Sequence, residues 1–186
     1  MAKKILIDMD LIYGILSDET KFDGNLDNVF EHFMDTIYSL SDNISRDDKF
    51  CFVMALNKDK FERALMVKIR NFIMANLDSI DENFEDKISK FKEQISTQED
   101  DTKKRFLGFI GGVIKEKSLF SLADADRETY KKTLPLMRYF DAEPPMILNY
   151  CIAKKEKCDA ILTNNPEFVE FDIPIIKVNL VNPAGC

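Results

Sequence analysis

Three short, unbroken apolar runs constrain this chain more than any other feature. They are Ile5-Leu6-Ile7, Phe50-Cys51-Phe52-Val53-Met54 and Ala160-Ile161-Leu162, the last ending in Thr163. None alternates apolar with polar residues, so each predicts a strand buried on both faces, as in a parallel sheet covered by helices. Ile173 to Val178 predicts a fourth, closing strand. Between the runs, apolar residues recur at helical spacing: Val29, Phe30, Phe33 and Ile37; Phe61, Leu65, Ile69 and Phe72; Phe84, Ile88, Phe91 and Ile95; Phe106, Phe109, Ile110, Val113 and Ile114. Asn57 or Asp59 is placed to cap the second of these helices. Residues 127–140 predict a further helix disturbed at Pro135, and Pro144-Pro145 predicts a helix start for 146–157, because proline suits the first helical turn. Gly108, Gly111 and Gly112 predict close helix packing, since Phe-Ile-Gly-Gly lacks the lysine and the strand of a phosphate-binding loop. Strands separated by helices give βαβ units and a three-layer α/β/α fold with a mostly parallel sheet. The 186 residues suit one domain, or one domain with an insertion.

Composition removes several chemistries. The chain has 26 basic and 33 acidic residues, a net charge of −7. That argues against a protein coated in positive charge for nucleic acid, but not against a local basic groove. His32 is the one histidine, which excludes a multi-histidine zinc site and leaves a triad no other base. Its helical context, beside Phe33, reads as structural. Cys51, Cys151, Cys158 and Cys186 form no CxxC pair and read as free thiols of a reducing compartment. No stretch approaches 18 consecutive apolar residues. Asp8 and Asp10 cut the first apolar run too early for a signal peptide, so a cytoplasmic location is expected.

Reactive chemistry is left to carboxylates. In a parallel sheet, ligands bind beyond the carboxyl ends of the strands. Asp8 and Asp10 follow the first strand there, Thr163-Asn164-Asn165 follow another, and Glu143 precedes a helix that starts near the same crevice. Mg²⁺ or Mn²⁺ favours such oxygen ligands and would activate water for phosphodiester cleavage. An Asp at a strand end is also an ordinary turn or cap residue.

Ile5-Leu6-Ile7-Asp8-Met9-Asp10-Leu11-Ile12 resembles the opening of PIN-like nuclease domains, where an apolar strand delivers an Asp followed two residues on by Asn or Asp. Ile152 to Phe168, with its helix, turn and strand ending in Thr163-Asn164-Asn165, resembles that family's second hallmark, Thr-x-Asp near a following Phe. The resemblance covers about residues 4–16 and 140–179. It implies a metal-dependent nuclease, most often a ribonuclease. Its metal site would draw on Asp8, Asp10, Glu143, Asn165 and Glu167, with Asp8, Glu62 and Glu143 as the catalytic acids and Asp59 competing with Glu62. Beside the family's minimal form, the long middle implies a helical insertion or cap at about 70–135, with RNA or single-stranded nucleic acid as partner passing beneath it and touching Lys103, Lys104 and Arg105. An inhibitory protein partner and a homodimer are compatible with it. The chain departs from the family at two acids: Met146 stands where an Asp is expected on the helix, and Asn165 where Thr-x-Asp ends. Amides are poorer metal ligands than carboxylates. A catalytically inactive scaffold that binds nucleic acid or protein is therefore a competing reading. A haloacid-dehalogenase-like phosphohydrolase is another. For it Asp8-Met9-Asp10 supplies the Asp-x-Asp start, although Ile12 and the Asn164-Asn165 pair depart from that pattern.

Overall fold

The computed structural model describes residues 2–18, 22, 28–42, 44–46, 49–55, 71–72, 86–87, 89–91, 101–116, 118–123, 125–140, 142–168 and 172–180. In chain order the elements are β1 (Lys3–Ile7), α1 (Met9–Ser17), α2 (Val29–Leu40), β2 (Phe50–Ala55), α3 (Asp101–Lys115), β3 (Phe120–Ala123), α4 (Arg127–Tyr139), α5 (Pro144–Glu156), β4 (Ala160–Thr163) and β5 (Ile175–Lys177). The five strands form one sheet in the order β3-β2-β1-β4-β5, and every pairing is parallel. This is the three-layer α/β/α arrangement expected from the unbroken runs.

Strand alternation divides the core in two. Ile5 and Ile7 of β1, Phe52 and Met54 of β2 and Leu162 of β4 face a layer made of α1, α2 and α3. Leu6, Val53 and Ile161 face the other way, onto Met146, Ile152 and Ala153 of α5. Leu6, Ile7, Ile12 and Phe52 have no measurable exposure, and each such burial contributes roughly 1.5–3 kcal/mol. The first layer is rich in phenylalanine: Phe33 and Phe109 lie 4.5 Å apart between ring centroids, and Phe52 and Phe120 5.4 Å. Gly112 lets α3 approach α2, since a Cβ there would fall 2.2 Å from Phe30 Cγ. That bears out close packing as the reason for this glycine. His32 packs edge-on against Phe22 at 4.9 Å, in keeping with a structural histidine.

α3 is a core helix with Phe106 and Phe109 fully buried, and β3 extends the sheet beyond β2, Phe52 opposite Phe120. The length of the middle segment is what suggested an insertion, whereas the buried aromatic stripe of α3 packs into the core. Most of 70–100 lies outside the described residues. β3 itself carries little signal. It is a four-residue edge strand with Ser121 and Leu122 only half-buried, too short for a periodicity.

Helix α5 begins at Pro144 and Pro145, as expected, and ends at Lys157 with φ 57° and ψ 47°. Lys157 adopts this left-handed conformation without being glycine, and its N–H returns to the last-turn carbonyls of Ala153 and Lys154.

Candidate functional site

The chain leaves β1 outward through β2 and β3, then returns to place β4 on the other side of β1. The strand order therefore reverses between β1 and β4, which is where open parallel sheets bind ligands. Register fixes what stands there. Ile7 is paired with Leu162, so the next residues, Asp8 and Thr163, lie side by side. The Asp8 N–H continues the ladder to Leu162 O at 2.9 Å. Asp8 is two residues beyond Leu6 and shares its face, the one covered by α5.

The Asp8 carboxylate is consequently boxed in. Thr163 Oγ1 donates to its Oδ2 at 2.7 Å, and Asn149 Nδ2, from α5, donates to its Oδ1 at 3.0 Å. The Asp10 N–H donates to the same Oδ1 at 3.3 Å, so that Asp8 also caps α1. Thr163 Oγ1 in turn accepts from the Asn165 N–H at 3.1 Å. Asp8 is 6% exposed, Asn149 2% and Thr163 not at all. Burial is the largest influence on the Asp8 carboxyl and raises its pKa above the ordinary aspartate value. The Thr163 hydrogen bond opposes this, the neighbouring Asp10 charge adds to it, and the Asp10 N–H and Asn149 oppose it again.

The other expected site residues divide. Asp10 is half-buried beside Asp8. Glu143 is exposed at the N-cap of α5 and makes no side-chain cap hydrogen bond. Glu167 is exposed as well, and its N–H donates to Asn165 Oδ1 at 2.9 Å, which engages the Asn165 oxygen in a local turn. Glu62 and Asp59 lie outside the described residues. Met146 is 4% exposed in the core against Ile161. The polar residue of α5 that reaches Asp8 is instead Asn149, one turn further on. Sequence reading passed over it. The available signal was a lone amide inside Met146-Ile147-Leu148-Asn149-Tyr150-Cys151-Ile152, since a buried amide in an apolar stretch needs a partner.

Arg105 also departs from expectation. It is 7% exposed, its Nε donates to Leu16 O at 2.5 Å, and its guanidinium lies 5.3 Å from the Phe22 ring centre. It closes the C-terminal end of α1 and is not an exposed phosphate contact. Lys104 pairs with Asp101 at 2.9 Å, and Lys103 is half-buried.

A firmly held Mg²⁺ or Mn²⁺ does not fit the donors in view. Among the described residues, no three His, Cys, Asp or Glu side chains form a group able to hold a metal ion. Asp8 already accepts three hydrogen bonds, two of them from a neutral hydroxyl and a neutral amide. Nor is Asp8 presented as a nucleophile, because its two oxygens point into Thr163 and Asn149 and not toward solvent. The Cys158 thiol, pushed up to about 12 chiefly by burial, stays protonated and unreactive at neutral pH. No helix among the described residues is long and apolar enough to cross a membrane. No family model matches the chain, and no curated protein matches it.

Proposed function

We propose that the chain is a PIN-like domain that binds single-stranded RNA at the crevice beyond β1 and β4, without rapid metal-dependent cleavage. One observation carries this reading. The strand-end aspartate where a nuclease would gather negative charge is instead satisfied by Asn149 and Thr163, both neutral. Mg²⁺ can bind through one or two carboxylates with waters and substrate phosphates. Here the candidates of that kind are a buried Asp8 and a half-buried Asp10, and Asn165 adds no charge. The free Cys51, Cys151 and Cys158 support a cytoplasmic setting.

A second reading, a Mg²⁺- or Mn²⁺-dependent ribonuclease, is favoured by the adjacency of Asp8 and Asp10 at the point of strand reversal. It requires a further acid, for which Glu62 is the candidate. A haloacid-dehalogenase-like phosphatase is the weaker alternative, since its first aspartate must attack phosphorus and Asp8 is enclosed. The deciding experiment titrates the full chain with fluorescein-labelled single-stranded RNA, with and without Mn²⁺, and follows cleavage on a gel. Saturable binding without cleavage, in both the wild type and Asp8→Asn, is the expected result. Mn²⁺-dependent cleavage that Asp8→Asn abolishes overturns the proposal in favour of the nuclease. Absence of any RNA binding overturns both.

A further inference from the structure

Helix α4 is packed the opposite way from the other helices. Its buried residues are Thr129 and Thr133, whose hydroxyls are satisfied locally, Thr129 on Asp126 at 2.8 Å and Thr133 on the Thr129 carbonyl at 2.9 Å. Leu136 is half-buried, and the other large apolar side chains of α4 face solvent. Tyr130 is 44% exposed, Leu134 65%, Met137 37% and Tyr139 84%, and these four are the large exposed apolar side chains among the described residues. Tyr130, Leu134 and Met137 fall at i, i+4 and i+7, so they form one row along a single face, about 10 Å long at the helical rise. Thr129 and Thr133 occupy the inward face of the helix, so this row stands on the outward one. Asp126 caps α4 through the Thr129 N–H at 2.8 Å and is held by Lys155 of α5 at 2.9 Å.

We propose that this face docks an acidic amphipathic helix supplied by another protein. Charge selects that occupant. Arg127, Lys131 and Arg138 follow the same helical spacing as a basic edge beside the apolar row. Lys131 is paired with Glu128, and among the described residues Arg127 and Arg138 have no ion-pair partner. The whole chain carries −7, so this local positive edge is set against an acidic body. A second copy presenting its own α4 would meet like charge. A row of three apolar residues is short for a membrane-lying helix, and an anionic bilayer would repel the rest of the chain. A partner helix with leucines at matching spacing, flanked by glutamates, fills the row and neutralises the edge. This docking is independent of what happens at Asp8.

The test uses the full chain and a fluorescein-labelled synthetic helix of about five turns, with leucines at i, i+4 and i+7 and glutamates beside them. A lysine-for-glutamate version serves as control. Fluorescence anisotropy is expected to show saturable binding of the acidic helix that weakens with salt. Leu134→Glu and, separately, the neutral Leu134→Gln should each weaken it by about tenfold or more. Arg127→Glu with Arg138→Glu should do the same and flatten the salt dependence. Circular dichroism of each variant checks that the fold is kept, which the exposure of these side chains favours. Equal binding of both peptides, no binding, or indifference to Leu134 overturns the proposal. So does concentration-dependent self-association abolished by Leu134→Glu, which assigns the face to a second copy. Leu134-dependent capture of phosphatidylglycerol vesicles or oligouridylate overturns it in favour of membrane or RNA.

Discussion

Asn149→Leu isolates the interaction on which the functional reading depends. Leucine branches at Cγ as asparagine does, so the substitution removes the amide and keeps the side-chain shape, and the extra bulk of its methyl groups is common to every background compared below. What is lost is a buried donor 3.0 Å from Asp8 Oδ1. A hydrogen bond to an ionised group contributes roughly 1.5–3 kcal/mol, and one between neutral groups about 1 kcal/mol. Above the raised Asp8 pKa, where the carboxylate is ionised, the variant should therefore lose about 2 kcal/mol, or a drop in Tm of about 4–8 °C for a domain of this size. In acid, once Asp8 is protonated, the loss should shrink to about 1 kcal/mol. Urea unfolding at neutral and acidic pH measures both values. A double-mutant cycle with Asp8→Asn sharpens the comparison. On that neutral background Asn149→Leu should cost the smaller amount at every pH, leaving a coupling of about 1 kcal/mol above the raised Asp8 pKa. Equal losses on both backgrounds, or at both pH values, would refute a charge-assisted bond and reduce Asn149 to a packing residue.

Asp8 also sets a pH dependence of its own. Its folded-state pKa is raised, chiefly by burial, so the folded chain holds this proton to higher pH than the unfolded chain does. Stability should fall as pH rises from the ordinary aspartate range through the raised folded value. Asp8→Asn should remove that component of the pH profile, and Asn149→Leu should steepen it. If Asn149 is what keeps the crevice neutral, Asn149→Asp should be destabilised at pH 7 and recover on addition of Mn²⁺, read as a rise in Tm absent from the wild type. Gly112→Ala should cost about 1–3 kcal/mol despite the better helix propensity of alanine, because the new Cβ meets Phe30 Cβ as well as its ring. Gly14→Ala should be close to neutral in urea unfolding, since its nearest neighbour is the movable Leu180 Cδ1. Arg105→Leu should destabilise by about 1.5–3 kcal/mol through the lost charged bond to Leu16 O and leave RNA affinity unchanged. Lys157→Gly should stabilise by up to about 1 kcal/mol in thermal unfolding, relieving a left-handed lysine.

Much of the fold was legible because hydrophobic burial writes itself plainly. Unbroken runs such as Ile5 to Ile7 and Ala160 to Leu162 have one good home, the middle of a covered sheet, and they found it. Pro144-Pro145 marked the start of α5 for an equally local reason. β3 was hidden because an edge strand of four residues needs only one well-buried side, and Phe120-Ser121-Leu122-Ala123 shows no pattern beyond that. The site was half legible. Asp8 could be placed at a strand end from its neighbours alone, whereas Asn149 reaches it across 141 residues of chain, through a register and a helix rotation that no local spacing encodes. Arg105 illustrates the opposite error. A cation in a charged run looks solvated until the fold brings a bare helix terminus to meet it.

The pairing of Ile7 with Leu162 has a temporal meaning as well as a spatial one. β1 is central, yet one of its neighbours is made some 155 residues later. Closing a loop of that length costs about 4–5 kcal/mol in chain entropy by the logarithmic rule, and non-local closure slows folding. During synthesis, the first strand must wait with one edge bare until residues 160–162 have emerged. The pocket around Asp8 comes into being only with that last closure, so a chain stopped before β4 would carry an unenclosed carboxylate and a raw strand edge open to other chains.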